Sequence, residues 1–167
     1  MIKEKLYMDS TCFIDMAKGD VGNLPEPLRQ DVWFCKKLLE AHRDGKVQVF
    51  TAMLTVAECQ HVDGICDDKV QRLFHSLLTS GQFVSLVQDT IIIADRARKL
   101  KWIHNVSLKG ADSLHIASAL EMECSEFLTS DKHFISCADE GPKLGIRIIH
   151  PNETGLLPSD YRQKSLF

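Results

Sequence analysis

The sequence predicts a three-layer α/β/α domain built on a central five-stranded parallel sheet. Five short apolar segments read as strands: Leu6–Met8, Val47–Phe50, Phe83–Val87, Glu126–Thr129 and Leu144–Ile149. Segments with apolar residues three and four positions apart lie between them, and alternating strands and helices give a parallel sheet covered on both faces. The 167 residues suit one domain, and 44% hydrophobic residues are ample for its core.

Each element has a local reason. The first strand ends at Asp9, and Thr11 to about Ala17 reads as a short helix. Gly19–Pro27 holds two Gly and two Pro and reads as a loop. Leu28, Val32, Cys35, Leu38 and Leu39 recur at helical spacing up to about Arg43, where Asp44-Gly45 ends the helix. After the second strand, Thr51 or Thr55 is the expected N-cap of a helix carrying Glu58. Val70, Leu73, Phe74, Leu77 and Leu78 mark a further helix, closed by Ser80-Gly81. Asp89 is expected to cap a helix running to about Lys101, and Lys109-Gly110 opens the helix that contains Asp112. The last strand is expected to open from a Gly141-Pro142 turn. Residues 1–150 form the expected domain. The remainder, 151–167, reads as a polar tail anchored by Leu156, Leu157, Tyr161, Leu166 and Phe167.

Composition excludes some classes. No apolar run exceeds four residues, so no segment has the length of a membrane span. The opening MIKEKLYMD lacks the apolar stretch of a signal peptide, which predicts a cytoplasmic protein. Six cysteines form no CxxC pair and read as reduced, mostly buried thiols. Cys59, His61 and Cys66 lack the spacing and the fourth ligand of a zinc site. A net charge of −3 argues against binding nucleic acid through a generally basic surface, but not against a nuclease.

Four acids stand where strands end or helices begin: Asp9 in KLYMDSTCFID, Glu58 in TAMLTVAECQH, Asp112 in LKGADSLHIASAL and Asp131 in ECSEFLTSDKHF. In a parallel α/β fold ligands sit outside the carboxyl ends of the strands, where the strand order reverses. Asp9 and Asp131 follow two predicted strands and are expected to meet there. Gathered acids repel one another, and a hard divalent cation neutralises them by taking their oxygens as ligands. Any one of them alone is explained by a turn, a cap or the helix dipole. Asp15 either caps the first helix or widens the acidic site. His115 and His133 read first as packing or surface residues.

In these segments the chain resembles the PIN domain family, and in length and layout the VapC-type toxin ribonucleases. YMDSTCFIDM, TVAEC, KGADSLHIASAL and FLTSDKHF carry the resemblance, in order, across about Leu6 to Ile149. It implies a five-stranded parallel sheet between helices and a Mg²⁺- or Mn²⁺-dependent endonuclease acting on RNA. Asp9, Glu58, Asp112 and Asp131 are the implied catalytic acids. It also implies a homodimer and, if the chain is a toxin, an antitoxin partner. The tail after Ile149 has no counterpart in that pattern.

Hydrolysis of a phosphodiester needs a nucleophile and a stabiliser of phosphate charge, and a divalent ion supplies both. Asp9 and Asp112 are the expected metal ligands, with Asp131 binding through water or to a second ion. Glu58 is expected to hold a water or act as general base. Ser10, Thr11 and Thr129 are expected to orient the carboxylates. Lys18, Arg98, Lys109 and Lys132 are candidate phosphate contacts, and Arg96, Lys99 and Lys101 extend that run.

Other classes fit less well. A haloacid-dehalogenase-type phosphatase needs an Asp where Thr11 stands, and a receiver domain needs one where Gln88 stands. Arg98 and His104 resemble the short motif of an all-helical, metal-independent ribonuclease family, which the strands oppose. The non-enzymatic alternative is a PIN-like module that binds RNA or protein without cutting. The stripes around Leu28–Leu39 and Val70–Leu78 are the expected dimer surface.

Overall fold

The computed structural model describes residues 3–19 and 24–162. Strands β1 (Lys5–Met8), β2 (Gln48–Ala52), β3 (Ser85–Val87), β4 (Glu126–Leu128) and β5 (Arg147–Ile149) form one sheet in the order β3-β2-β1-β4-β5. All four pairings are parallel. The longer helices are α1 (Ser10–Gly19), α2 (Leu28–Arg43), α3 (Met53–Glu58), α4 (Asp67–Phe74), α5 (Ile91–Trp102) and α6 (Gly110–Glu121). Short helices α7 (Lys132–Ile135), α8 (Gly141–Leu144) and α9 (Ser159–Arg162) complete the chain, and a π-helical turn, His75–Thr79, continues α4. The predicted architecture is therefore the observed one.

Alternation along the central strands divides the core into two layers, because successive side chains point to opposite faces. Leu6, Met8, Val49 and Leu128 pack with Phe13 and Met16 of α1 and with Val32, Cys35, Leu38 and Leu39 of α2. Tyr7, Phe127 and Ile148 pack on the other face with Ile116 and Ala119 of α6. Tyr7 and Phe127 lie at register positions opposite one another and stack at 5.1 Å. Truncating such a fully buried aromatic side chain costs about 3–5 kcal/mol.

Several local expectations are corrected. The α5 N-cap is Thr90, whose hydroxyl accepts the Ile93 N–H at 3.3 Å, and Asp89 lies outside the helix. The cap one residue later lets Ile93, Ala97 and Leu100 share the buried stripe. Neither Thr51 nor Thr55 caps α3: its N-cap is Ala52, and the two buried hydroxyls bond each other at 2.7 Å. Gly141-Pro142 begins α8 rather than a turn into a strand, and β5 is correspondingly shorter than Leu144–Ile149. A side chain at Gly141 would place its Cβ 2.5 Å from the Ile146 carbonyl oxygen, so only glycine lets these two backbones approach.

The segment after Ile149 is packed rather than free. Pro151, Thr154, Leu157 and Tyr161 are buried. Buried Glu126 of β4 accepts from the Thr154 hydroxyl, the Gly155 N–H and Arg147. Asp31 of α2 accepts the Asn152 N–H, and Tyr161 donates to Asp44. The expected anchors Leu166 and Phe167, and part of the Gly19–Pro27 loop, lie outside the described residues. The apolar stripes expected to form a dimer surface are used internally, since Val32, Cys35, Leu38, Leu39, Val70, Phe74 and Leu78 all belong to the core. No helix among the described residues is long and apolar enough to cross a membrane.

Candidate active site

The strand order reverses at β1, which has β2 on one side and β4 on the other. Asp9 follows β1 directly, and its N–H donates to the Leu128 carbonyl at the end of β4. Its side chain is 1% exposed. The Thr11 hydroxyl donates to Asp9 Oδ1 at 2.6 Å, and the Thr129 hydroxyl donates to Oδ2 at 2.8 Å. An ionised carboxylate can only accept, so both hydroxyls donate to it and keep their lone pairs for N–H donors. Thr11 Oγ1 takes the Ser130 N–H at 3.1 Å, and Thr129 Oγ1 takes the Asp131 N–H at 3.0 Å. Two threonines thus couple the turn after β4 to both oxygens of one carboxylate.

Burial pushes the Asp9 carboxyl up to about 6, against the lowering pull of Thr11, Thr129 and the Cys12 N–H. Desolvation disfavours the charged form of a carboxylate, and a charge on His115 opposes it only in part. Asp15, also buried, accepts from the Ser130 hydroxyl and from Lys18, so a further acid is tied to the same turn.

Glu58 ends α3 on the opposite side of β1. Its Oε2 lies 2.9 Å from His115 Nε2. That contact holds the Glu58 carboxyl below its usual range, opposed by partial burial and assisted by a hydrogen bond from Ser10. His115 is 2% exposed, and its Nδ1 lies 2.7 Å from the Tyr7 hydroxyl. The Tyr7 oxygen in turn accepts the Ala52 N–H at 2.8 Å. Asp112 lies in the first turn of α6, one turn before His115. No hydrogen bond or ion pair among the described residues engages its carboxylate.

Asp131 is the N-cap of α7 and accepts the His133 N–H at 2.8 Å. Its carboxylate thus serves as a helix cap, two residues from the threonine that holds Asp9. The candidate phosphate contacts are dispersed. Lys18 bonds Asp15 at 3.3 Å. Arg98 pairs with Asp95 and lies over the Trp102 ring at 5.0 Å. Lys109 is the N-cap position of α6, and Lys132 opens α7.

Hard carboxylate oxygens at this edge have the donor chemistry that Mg²⁺ or Mn²⁺ requires. Among the described residues, no three of His, Cys, Asp and Glu are gathered closely enough to hold an ion by themselves. The set Asp9, Asp112 and Asp131 is therefore not a closed cage.

Sequence reasoning placed Ser10, Thr11 and Thr129 beside the carboxylates. It read Tyr7 only as a strand residue, did not identify Ser130, and gave His115 a packing role. The available signal was spacing: His115 falls one helical turn after Asp112, on the same side of α6.

The parallel sheet thus carries a buried acid at its switch point and a second carboxylate across β1. The family model described as "PIN domain" matches residues 31–140, and the chain belongs to that family. PIN domains are in general nucleases. Glu58, Asp112 and Asp131 fall inside the matched span, and Asp9 precedes it. Three solved structures share the fold. VapBC2 from Rickettsia felis, bound to a DNA fragment from its promoter, is 10% identical with a TM-score of 0.57, covering 87% of this chain and 98% of that one. FitAB bound to the IR36 DNA fragment is 16% identical with a TM-score of 0.55, covering 89% and 96%. FitAcB from Neisseria gonorrhoeae is 16% identical with a TM-score of 0.54, covering 89% and 99%. No curated protein matches the sequence.

Proposed function

We propose that this chain is a metal-dependent endoribonuclease that hydrolyses RNA phosphodiester bonds and acts as the toxin of a toxin–antitoxin pair. The observation that carries the reading is Asp9: a buried carboxylate at the switch point, held on both oxygens, with its carboxyl pushed up to about 6 by desolvation. Keeping such a charge away from water is costly, and a cation beside it recovers that cost.

In this reading Asp9 and Asp112 hold the ion, and Asp131 reaches it through water. When bound, Mg²⁺ or Mn²⁺ polarises the phosphate and makes a water more acidic. Thr11 and Thr129 keep both Asp9 oxygens fixed in orientation. Glu58, kept ionised by His115, orients the attacking water from the other side of β1. Its lowered carboxyl makes it a weak base, so positioning is the larger part of its work. Lys18 and Lys132, on either side of the β4 turn, are the nearest candidates for the RNA backbone, with Lys109 and Arg98 farther along α5 and α6.

A protein partner is supported by exposed apolar side chains on and beside α5: Ile91 at 82%, Trp102 at 70%, Ile103 at 67% and Ile92 at 61%. The likeness in fold to VapBC2 and FitAB favours an antitoxin or a second copy of the chain on such a face. The test is cleavage of a panel of single-stranded and structured RNAs with Mg²⁺, Mn²⁺ or EDTA, with Asp112→Asn in parallel. Metal-dependent cutting that the variant loses supports the reading. Cutting that survives EDTA, or survives Asp112→Asn, contradicts it.

A further inference from the structure

The chain Tyr7–His115–Glu58 is a continuous line of hydrogen bonds that favours one direction of proton donation. Glu58 is an ionised carboxylate and can only accept, so the facing Nε2 of His115 must carry a hydrogen. At the far end, the Tyr7 oxygen already accepts the Ala52 N–H. The phenol can then give its own hydrogen to His115 Nδ1, 2.7 Å away. Backbone, phenol, imidazole and carboxylate are thus aligned as donor to acceptor in one direction. The buried imidazole packs edge-on to Tyr7 at 5.9 Å and to Phe134 at 6.4 Å. Glu58, by contrast, is 31% exposed at the end of a six-residue helix, and has few other restraints.

We infer that His115 is a positioning residue for the proposed nuclease reaction: held by Tyr7 as the Nε2–H tautomer, it fixes the Glu58 carboxylate facing the site. The inference rests on the proposed nuclease function for its kinetic consequence, but not for its structural one. It gives Tyr7, a core strand residue, a functional task two residues before Asp9. It also explains why a histidine, with a donor and an acceptor on opposite edges of one ring, stands on the buried face of α6.

The first test is independent of cleavage. ¹⁵N NMR of the full chain should find the His115 hydrogen on Nε2 and not on Nδ1, and Tyr7→Phe should release that preference into a mixture. A ring with its hydrogen on Nδ1, or an imidazolium, overturns the inference. The second test is kinetic. His115→Ala should lower kcat about 10- to 100-fold with KM little changed. His115→Gln, whose amide N–H₂ can stand where Nε2–H stood, should stay within about threefold of the parent. In a Glu58→Gln background, His115→Ala should add no further loss. Equal losses from Gln and Ala in folded proteins, or an additive loss in the double variant, overturn it. If the parent cuts no RNA, the nuclease reading fails, while the tautomer still decides the structural assignment.

Discussion

Thr129, just after β4, donates its hydroxyl to Asp9, just after β1, at 2.8 Å across the centre of the sheet. The same hydroxyl accepts the Asp131 N–H at 3.0 Å, so it bridges the carboxylate and the turn after β4. Thr129→Val keeps the shape and removes the donor. It should cost about 1–3 kcal/mol at neutral pH, because a buried carboxylate oxygen and an N–H both lose their partner. The cost should shrink below pH 6, where Asp9 is protonated. Thr129→Ser should stay within about 1 kcal/mol of the parent. Urea unfolding of the three proteins at two pH values checks this.

Asp9 sets a trade between stability and activity. Its folded-state carboxyl titrates near 6, above its unfolded value, so the folded chain holds a proton that the unfolded chain has released. Its contribution is fully present at about pH 4 and is lost as the pH rises through 6. Asp9→Asn, measured in EDTA, should therefore be more stable than the parent at pH 7.5, by as much as about 3 kcal/mol, with a much smaller difference at pH 4. The same variant should lose cleavage. An equal stability difference at both pH values would contradict the assignment.

Asp131 carries two roles that one substitution separates. Serine caps a helix about as well as aspartate does. Asp131→Ser should keep α7 and leave stability within about 0.5 kcal/mol. If the carboxylate also serves the ion, cleavage should fall at least 10-fold and should recover in part at higher Mn²⁺. Unchanged turnover would leave Asp131 as a cap alone.

The tail is a stability element. Glu126, 2% exposed, holds Thr154, Gly155 and Arg147. Glu126→Ala should cost about 2–4 kcal/mol, since buried donors lose their acceptor, while leaving kcat of the folded fraction unchanged. Thermal melts and active-site-normalised rates check both halves.

The sheet and its helices were legible because periodicity is a property of the chain itself: the unbroken burial of Leu6, Tyr7 and Met8 and the stripe of α2 are written in spacing. What spacing could not supply was the partner of each polar group. Thr90 rather than Asp89 caps α5 because packing against the sheet chose the helix register. In the tail the apolar anchors Leu157 and Tyr161 were legible, but the polar one was not, because Glu126 meets Thr154 and Arg147 only in the folded chain. At the site, the hydroxyl residues around Asp9 were foreseen from their adjacency. Tyr7 and His115 were not, because they lie 108 residues apart and meet only through the β1–α6 contact.

The central claim is that Asp9 is a desolvated carboxylate poised for a cation, and its titration is the most direct measurement. ¹³C NMR of the Asp9 carboxyl should give a midpoint near 6 in EDTA, and Mg²⁺ or Mn²⁺ should lower it, because metal binding competes with the proton. A midpoint in the ordinary aspartate range that neither ion moves would contradict the account.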